Sequence, residues 1–86
     1  MRVAGFEIDV LLFGPLADLA GRDRVRCALP AGASVGDLLG AVRGLVPALG
    51  SRLDSSAVAV NLSYAPRDRI LAPGDEVALI PPVSGG

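Results

Sequence analysis

Phe6-Glu7-Ile8-Asp9-Val10-Leu11-Leu12-Phe13 opens with an alternation of Phe6, Ile8, Val10 and Leu12 against the acidic Glu7 and Asp9. Successive side chains of an extended chain point to opposite faces, so the segment reads as a strand with one buried face. Leu11 and Phe13 then occupy the other set of positions. Apolar residues on both faces are what a strand covered from two sides needs, so this strand is expected in the middle of a sheet. The same character returns near the other end of the chain in Glu76-Val77-Ala78-Leu79-Ile80, where neither face is polar. Two such strands, both central, are expected to pair in parallel.

Between them the chain punctuates itself. Gly14-Pro15 ends the first strand, and Pro15 suits the first position of a short helical turn that carries Leu16 and Leu19 until Gly21 closes it. Residues 24 to 29 alternate again, with Val25, Cys27 and Leu29 opposite Arg24 and Arg26, the second strand of a hairpin. After the turn at Pro30-Ala31-Gly32, Ser34 followed by Asp37 reads as a capping box that starts a helix at Val35. Val35, Leu38, Leu39, Val42, Leu45, Val46 and Leu49 recur at three- and four-residue spacing and form one apolar stripe. Pro47 sets the helix end near Val46, with a looser turn through Leu49 and Leu53. Ala57 to Val60 is a short strand, Asn61 to Ser63 a turn, and Pro73-Gly74 a type II turn before the last strand.

Strand, strand, helix, strand, strand with one major helix predicts an α+β domain in which that helix crosses a mixed sheet, the ubiquitin-like β-grasp arrangement. Eighty-six residues hold one such domain, here residues 1–81, with 82–86 left as a flexible tail. Eight basic against nine acidic residues give a net charge of −1, and no segment interleaves Arg with aromatics, which argues against nucleic-acid binding. All eight basic residues are arginines, so no lysine is present to receive an isopeptide bond. Val10 to Ala17 is far short of the ~20 apolar residues a membrane helix needs. Glu7 and Asp9 do not fit a signal peptide, so a cytoplasmic protein with no membrane partner is expected. With one cysteine and no histidine, a Cys-His nucleophile pair and a metal cluster are excluded, and Cys27 reads as a buried, inert thiol. Asp75 and Glu76 are consecutive and point to opposite faces, so they do not converge for acid-base work and read as a solvated turn. Arg67 and Arg69 read as solvated loop residues.

Chemistry then falls to the terminus. Pro81-Pro82 cannot continue a central ladder and leaves Val83-Ser84-Gly85-Gly86 free of the sheet. The Gly86 carboxyl, with a pKa of about 3.3–3.7, is ionised and inert at neutral pH until ATP-dependent adenylation makes it an electrophile. Gly85 and Gly86 carry no Cβ and admit the backbone to a narrow channel. Residues 82 to 86, fully extended, reach about 16–18 Å.

The ending Gly74-Asp75-Glu76-Val77-Ala78-Leu79-Ile80-Pro81-Pro82-Val83-Ser84-Gly85-Gly86 strongly resembles the small-subunit family of molybdopterin synthase, a group of ubiquitin-like sulfur carriers. Leu19-Ala20-Gly21, Leu29-Pro30-Ala31-Gly32-Ala33-Ser34-Val35 and Ala59-Val60-Asn61 extend the likeness over nearly the whole chain. The resemblance implies a non-catalytic carrier subunit that binds no cofactor of its own. Gly86 would be adenylated with ATP by an enzyme related to ubiquitin-activating enzymes, take sulfur from a donor as a thiocarboxylate, and enter the large synthase subunit to build the molybdopterin dithiolene. Gly85 would give access, with Ser84, Val83, Pro82 and Pro81 bordering the partner contact. The family often has Arg-Glu where Ala17-Asp18 stand. That departure leaves open a carrier for another pathway, for thiamine, cysteine, thiolated nucleosides or natural products. A ubiquitin-like modifier joined to target lysines through Gly86 stays open beside them.

Overall fold

The computed structural model describes residues 5–82. Strand β1 (Gly5–Leu12) is followed by helix α1 (Pro15–Ala20), strand β2 (Arg24–Pro30) and helix α2 (Val35–Leu45). A 3₁₀ turn (Pro47–Leu49) and helix α3 (Arg52–Ser55) lead to strands β3 (Ala57–Val60), β4 (Ser63–Tyr64) and β5 (Val77–Ile80). The five strands form one sheet in the order β2-β1-β5-β3-β4. β1 and β5 are parallel neighbours in its middle, with Val10, Leu11 and Leu12 opposite Val77, Ala78 and Leu79, as their two-sided apolar sequences predict.

Local signals account for most element ends. Pro15 opens α1, and Gly21, at φ 73°, closes it with its N–H on the carbonyls of Ala17 and Asp18. The capping box is present in full: the Ser34 hydroxyl accepts from the Asp37 N–H at 3.1 Å and the Asp37 carboxylate accepts from the Ser34 N–H at 2.9 Å. Two further first-turn donors, Val35 and Gly36 N–H, reach the carbonyls of Arg69 and Arg67 at 2.9 and 2.8 Å, so the 65–71 loop caps the helix as well. α2 stops at Leu45 with Val46 as its cap, just before Pro47. Gly74 at φ 90°, with the Asp75 N–H on the Ala72 carbonyl, makes the turn at Pro73-Gly74.

One face of the sheet is closed by α2. Rows of side chains run across it: Val10, Val77 and Val60 in one register, Leu12, Leu79 and Val58 in the next. Val35, Leu38, Leu39 and Val42 of α2 are buried over them. Leu16, Leu49 and Leu53 fill the end of the core beneath α1, the 3₁₀ turn and α3. Burying each such aliphatic chain contributes about 1.5–3 kcal/mol before entropy is counted.

Among the described residues no element covers the opposite face, which corrects the expectation that β1 is covered from both sides. Leu11 is only half-buried and Phe13 is 48% exposed. The second apolar set reflects an uncovered apolar surface, not a second layer. β4 is also additional to the four strands read from sequence: Asn61 and Leu62, at φ 52° and 71°, form a two-residue hairpin that lets Ser63 and Tyr64 pair back on β3. The turn comprises those two residues, and Ser63 belongs to the strand.

Candidate functional site

Pro81 and Pro82 leave the sheet directly from β5, the strand held between β1 and β3. The ladder ends with Ile80 opposite Ala57, where the first proline can no longer donate an N–H. Pro81 lies against Gly14: a Cβ on Gly14 would sit 3.6 Å from the Pro81 Cγ, and φ of 54° there favours glycine. A groove beside the two prolines is bordered by Pro15, Leu16, Arg52 and Ser55. The tail's root therefore follows a strand paired on both sides, beside Gly14 at the end of β1 and α3. Of the residues assigned to the site from sequence, Pro81 and Pro82 fall at this root. Val83, Ser84, Gly85 and Gly86 lie outside the described residues.

The sequence reading missed the bare face of the sheet. Leu11, Ala78, Ala59 and Tyr64 are register partners in one row across β1, β5, β3 and β4. Leu62 at 94% and Tyr64 at 75% exposure stand at its edge. The other half of this face, on β1 and β2, is charged. Asp9 and Arg26 are direct cross-strand partners, with Nε to Oδ1 at 2.9 Å, and Arg26 also reaches Glu7 at 2.9 Å. The Arg26 hydrogen bond holds the Asp9 carboxyl below the usual carboxylate range. One half of the surface is thus self-paired, and the other exposes apolar area that no described element covers. The signal lay in Leu11, Phe13, Ala78 and Ile80, which break the polar alternation.

The remaining candidates are structural. Asp75 accepts from the Ala72 N–H and the Asn61 side-chain amide, both at 2.9 Å. The Ala72 bond first and the Asn61 bond second hold its carboxyl below its ordinary pKa. Its side chain is only 13% exposed, so the solvated-turn reading is replaced by a pin between the 72–75 turn and the β3-β4 hairpin. Arg67 donates from Nη2 to the carbonyls of Leu53, Asp54 and Ser56 at 3.3, 3.2 and 3.1 Å, which replaces solvation with a clasp on the end of α3. Arg69 places Nη1 at 3.9 Å from the Asp75 carboxylate. Cys27 is fully buried, and desolvation raises its thiol pKa, so it is a core residue. Among the described residues no three His, Cys, Asp or Glu side chains gather as a metal site, and no helix is long and apolar enough to cross a membrane.

The family model described as the ThiS family matches residues 10–86, from β1 through the Gly85-Gly86 end. The chain belongs to the ThiS family. Within it, this ThiS-family chain is 43% identical over 83 residues to small archaeal modifier protein 1 of Haloferax volcanii, covering 87% of this chain and 95% of that protein. It is 40% identical over 82 residues to the molybdopterin synthase sulfur carrier subunit of Chlamydomonas reinhardtii, covering 93% and 99%. The crystal structure of SAMP1 from Haloferax volcanii superposes with a TM-score of 0.85 at 41% identity, covering 93% of this chain and 99% of that one. These likenesses establish the ubiquitin-like β-grasp fold for this ThiS-family member and span relatives whose names assign both sulfur carriage and protein modification.

Proposed function

We propose that this ThiS-family protein is a sulfur carrier whose working group is the Gly86 carboxylate. The observation that carries the reading is the extension of the family match through Gly86, on a tail rooted in a central strand. An activating enzyme related to ubiquitin-activating enzymes transfers AMP from ATP to the carboxylate, releasing pyrophosphate. A sulfide-level nucleophile from a sulfur donor then displaces AMP and leaves the thiocarboxylate. Gly85 gives the backbone room in the partner's channel, and Ser84, Val83, Pro82 and Pro81 border it. The apolar row from Leu11 to Tyr64 supplies the docking surface that the tail itself lacks. By analogy with the similar molybdopterin synthase sulfur carrier subunits, the acceptor is a molybdopterin precursor on a large synthase subunit. Carriage in the cytoplasm, where ATP is at hand, fits this scheme.

Intact mass spectrometry tests the reading after incubation with the host's activating enzyme, ATP and a sulfur donor. Wild type is expected to gain the mass of one oxygen-to-sulfur exchange, and a Gly85-Gly86 deletion is not. No gain in wild type, under conditions that convert an established carrier, would remove the sulfur reading.

The likeness to a small archaeal modifier protein supports a second reading, attachment through Gly86 to lysines of target proteins. The lysine-free chain offers no side chain on which such conjugates could extend. Conjugates in cell extracts that vanish with the Gly85-Gly86 deletion would mark this role, and each would carry single copies at its lysines.

A further inference from the structure

Seven arginines lie among the described residues, and five have evident duties. Arg24 and Arg26 pair with Asp9, Arg43 with Asp54, Arg69 approaches Asp75, and Arg67 clasps three carbonyls. Arg22 and Arg52 form no ion pair or side-chain hydrogen bond with any described residue. Only Arg52 borders the tail's root, in the groove with Pro15, Leu16, Pro81 and Pro82. Its backbone is fixed from several sides. The Ser55 and Ser56 hydroxyls donate to the Arg52 carbonyl at 3.2 and 2.7 Å, Leu53 beside it is fully buried, and Arg67 grips the end of the same short helix. A well-anchored backbone therefore presents an exposed Arg52, without a side-chain partner among the described residues, beside a cleft lined by prolines and serines.

On the reading that Gly86 reacts in a partner's active site, the lip of that partner's channel passes close to this groove, because Gly86 stands four residues after Pro82. Four extended residues reach about 13–14 Å, so the enzyme's surface cannot stand far from the root. We propose that Arg52 and the proline-lined groove form a collar that is recognised by a carboxylate on the channel lip of the tail-accepting enzyme. A planar guanidinium with an Asp or Glu gives a directional, two-pronged contact, and the prolines beside it offer the carboxylate's aliphatic stem an apolar seat. Arg52 is a positioning residue: it orients the body of the carrier while the chemistry proceeds at Gly86.

The experiment is steady-state conversion of full-length protein by the activating enzyme, with ATP and a sulfur donor, at varied carrier concentration. Direct titration of carrier against the same enzyme without ATP accompanies it. Arg52→Ala is expected to raise KM about two- to fivefold, the scale of an exposed ion pair, and Arg52→Glu about tenfold or more through like-charge repulsion. kcat should stay unchanged for both, and the wild-type advantage should shrink as salt rises. Arg52→Lys should recover part of the loss, since it keeps the charge and lacks the fork. Because the side chain forms no ion pair or hydrogen bond with any described residue, all variants should melt with wild type, which separates recognition from a structural role. A channel-lip carboxylate changed to Arg should restore Arg52→Glu. Arg52→Glu with wild-type KM and affinity, in a carrier that charges normally, overturns the collar and leaves the sulfur reading intact. Wild type that binds the enzyme but gains no sulfur removes that reading, while the titration still judges the collar. A wild type that neither binds nor charges overturns both.

Discussion

Asp75 shows how a single side chain serves the fold here. Its two oxygens hold the Ala72 N–H and the Asn61 amide, and Asn61 in turn accepts from the Glu76 N–H at 2.9 Å. The turn that launches β5 is thereby pinned to the hairpin between β3 and β4. Since these bonds stabilise the ionised form, its folded pKa lies below that of the unfolded chain. The stability it contributes is complete above the unfolded value of about 3.9 and is lost as pH falls through the lower folded value. Asp75→Ala should destabilise by about 1–2 kcal/mol at neutral pH, as removal of bonds to a charged acceptor does. Urea unfolding at pH 7 and again near pH 2.5 should show the gap between wild type and variant narrowing in acid. The sequence exposed the adjacency of Asp75 and Glu76 but not this role, because Asn61 is brought to Asp75 from fourteen positions away only by strand pairing. Cys27 was readable, since its burial follows from the local alternation of β2.

At the scale of elements, α2 carries a destabilising composition that packing overrides. Gly36, Gly40 and Gly44 lie within its eleven residues, and each costs about 1 kcal/mol relative to Ala in a helix interior. The apolar stripe against the sheet compensates, together with the capping box and the loop carbonyls at the first turn. A Cβ at Gly40 or Gly44 would meet nothing within 4 Å, whereas one at Gly36 would come 3.4 Å from the Arg67 carbonyl oxygen. Gly40→Ala and Gly44→Ala should therefore each stabilise by about 0.5–1 kcal/mol, and Gly36→Ala by less. Denaturant midpoints at constant slope would check this ranking. The start and end of α2, the α1 connector and the Pro73-Gly74 turn were legible because their causes sit within four residues of their effects. β4 was not: its turn uses Asn61-Leu62 where Asn-Gly would be the clear signal, and two residues of strand leave no periodicity to read.

For the whole molecule, the parallel pairing of β1 with β5 joins the two features that the proposed function needs. It places the tail's root at the end of a central strand and lays Leu11 beside Ala78 on the bare face. Sequence patterning located both strands in mid-sheet but took their apolar second faces for buried ones. Periodicity reports that a face is apolar and not whether the same chain covers it. If that face docks the carrier and the tail performs the chemistry, the two should separate kinetically. Tyr64→Asp puts a charge on a side chain that is 75% exposed, so stability should change by no more than about 0.5 kcal/mol. Affinity for the large synthase subunit should fall about tenfold or more, because the complex would bury an unpaired carboxylate. Turnover at saturating partner should persist. The Gly85-Gly86 deletion should behave in the opposite sense, retaining much of the affinity from the sheet face and losing turnover entirely. Calorimetric titration and single-turnover sulfur transfer on the two variants would decide the matter. A Tyr64→Asp variant that binds like wild type would free the sheet face from docking, and a tail deletion that abolishes binding would assign affinity to the tail.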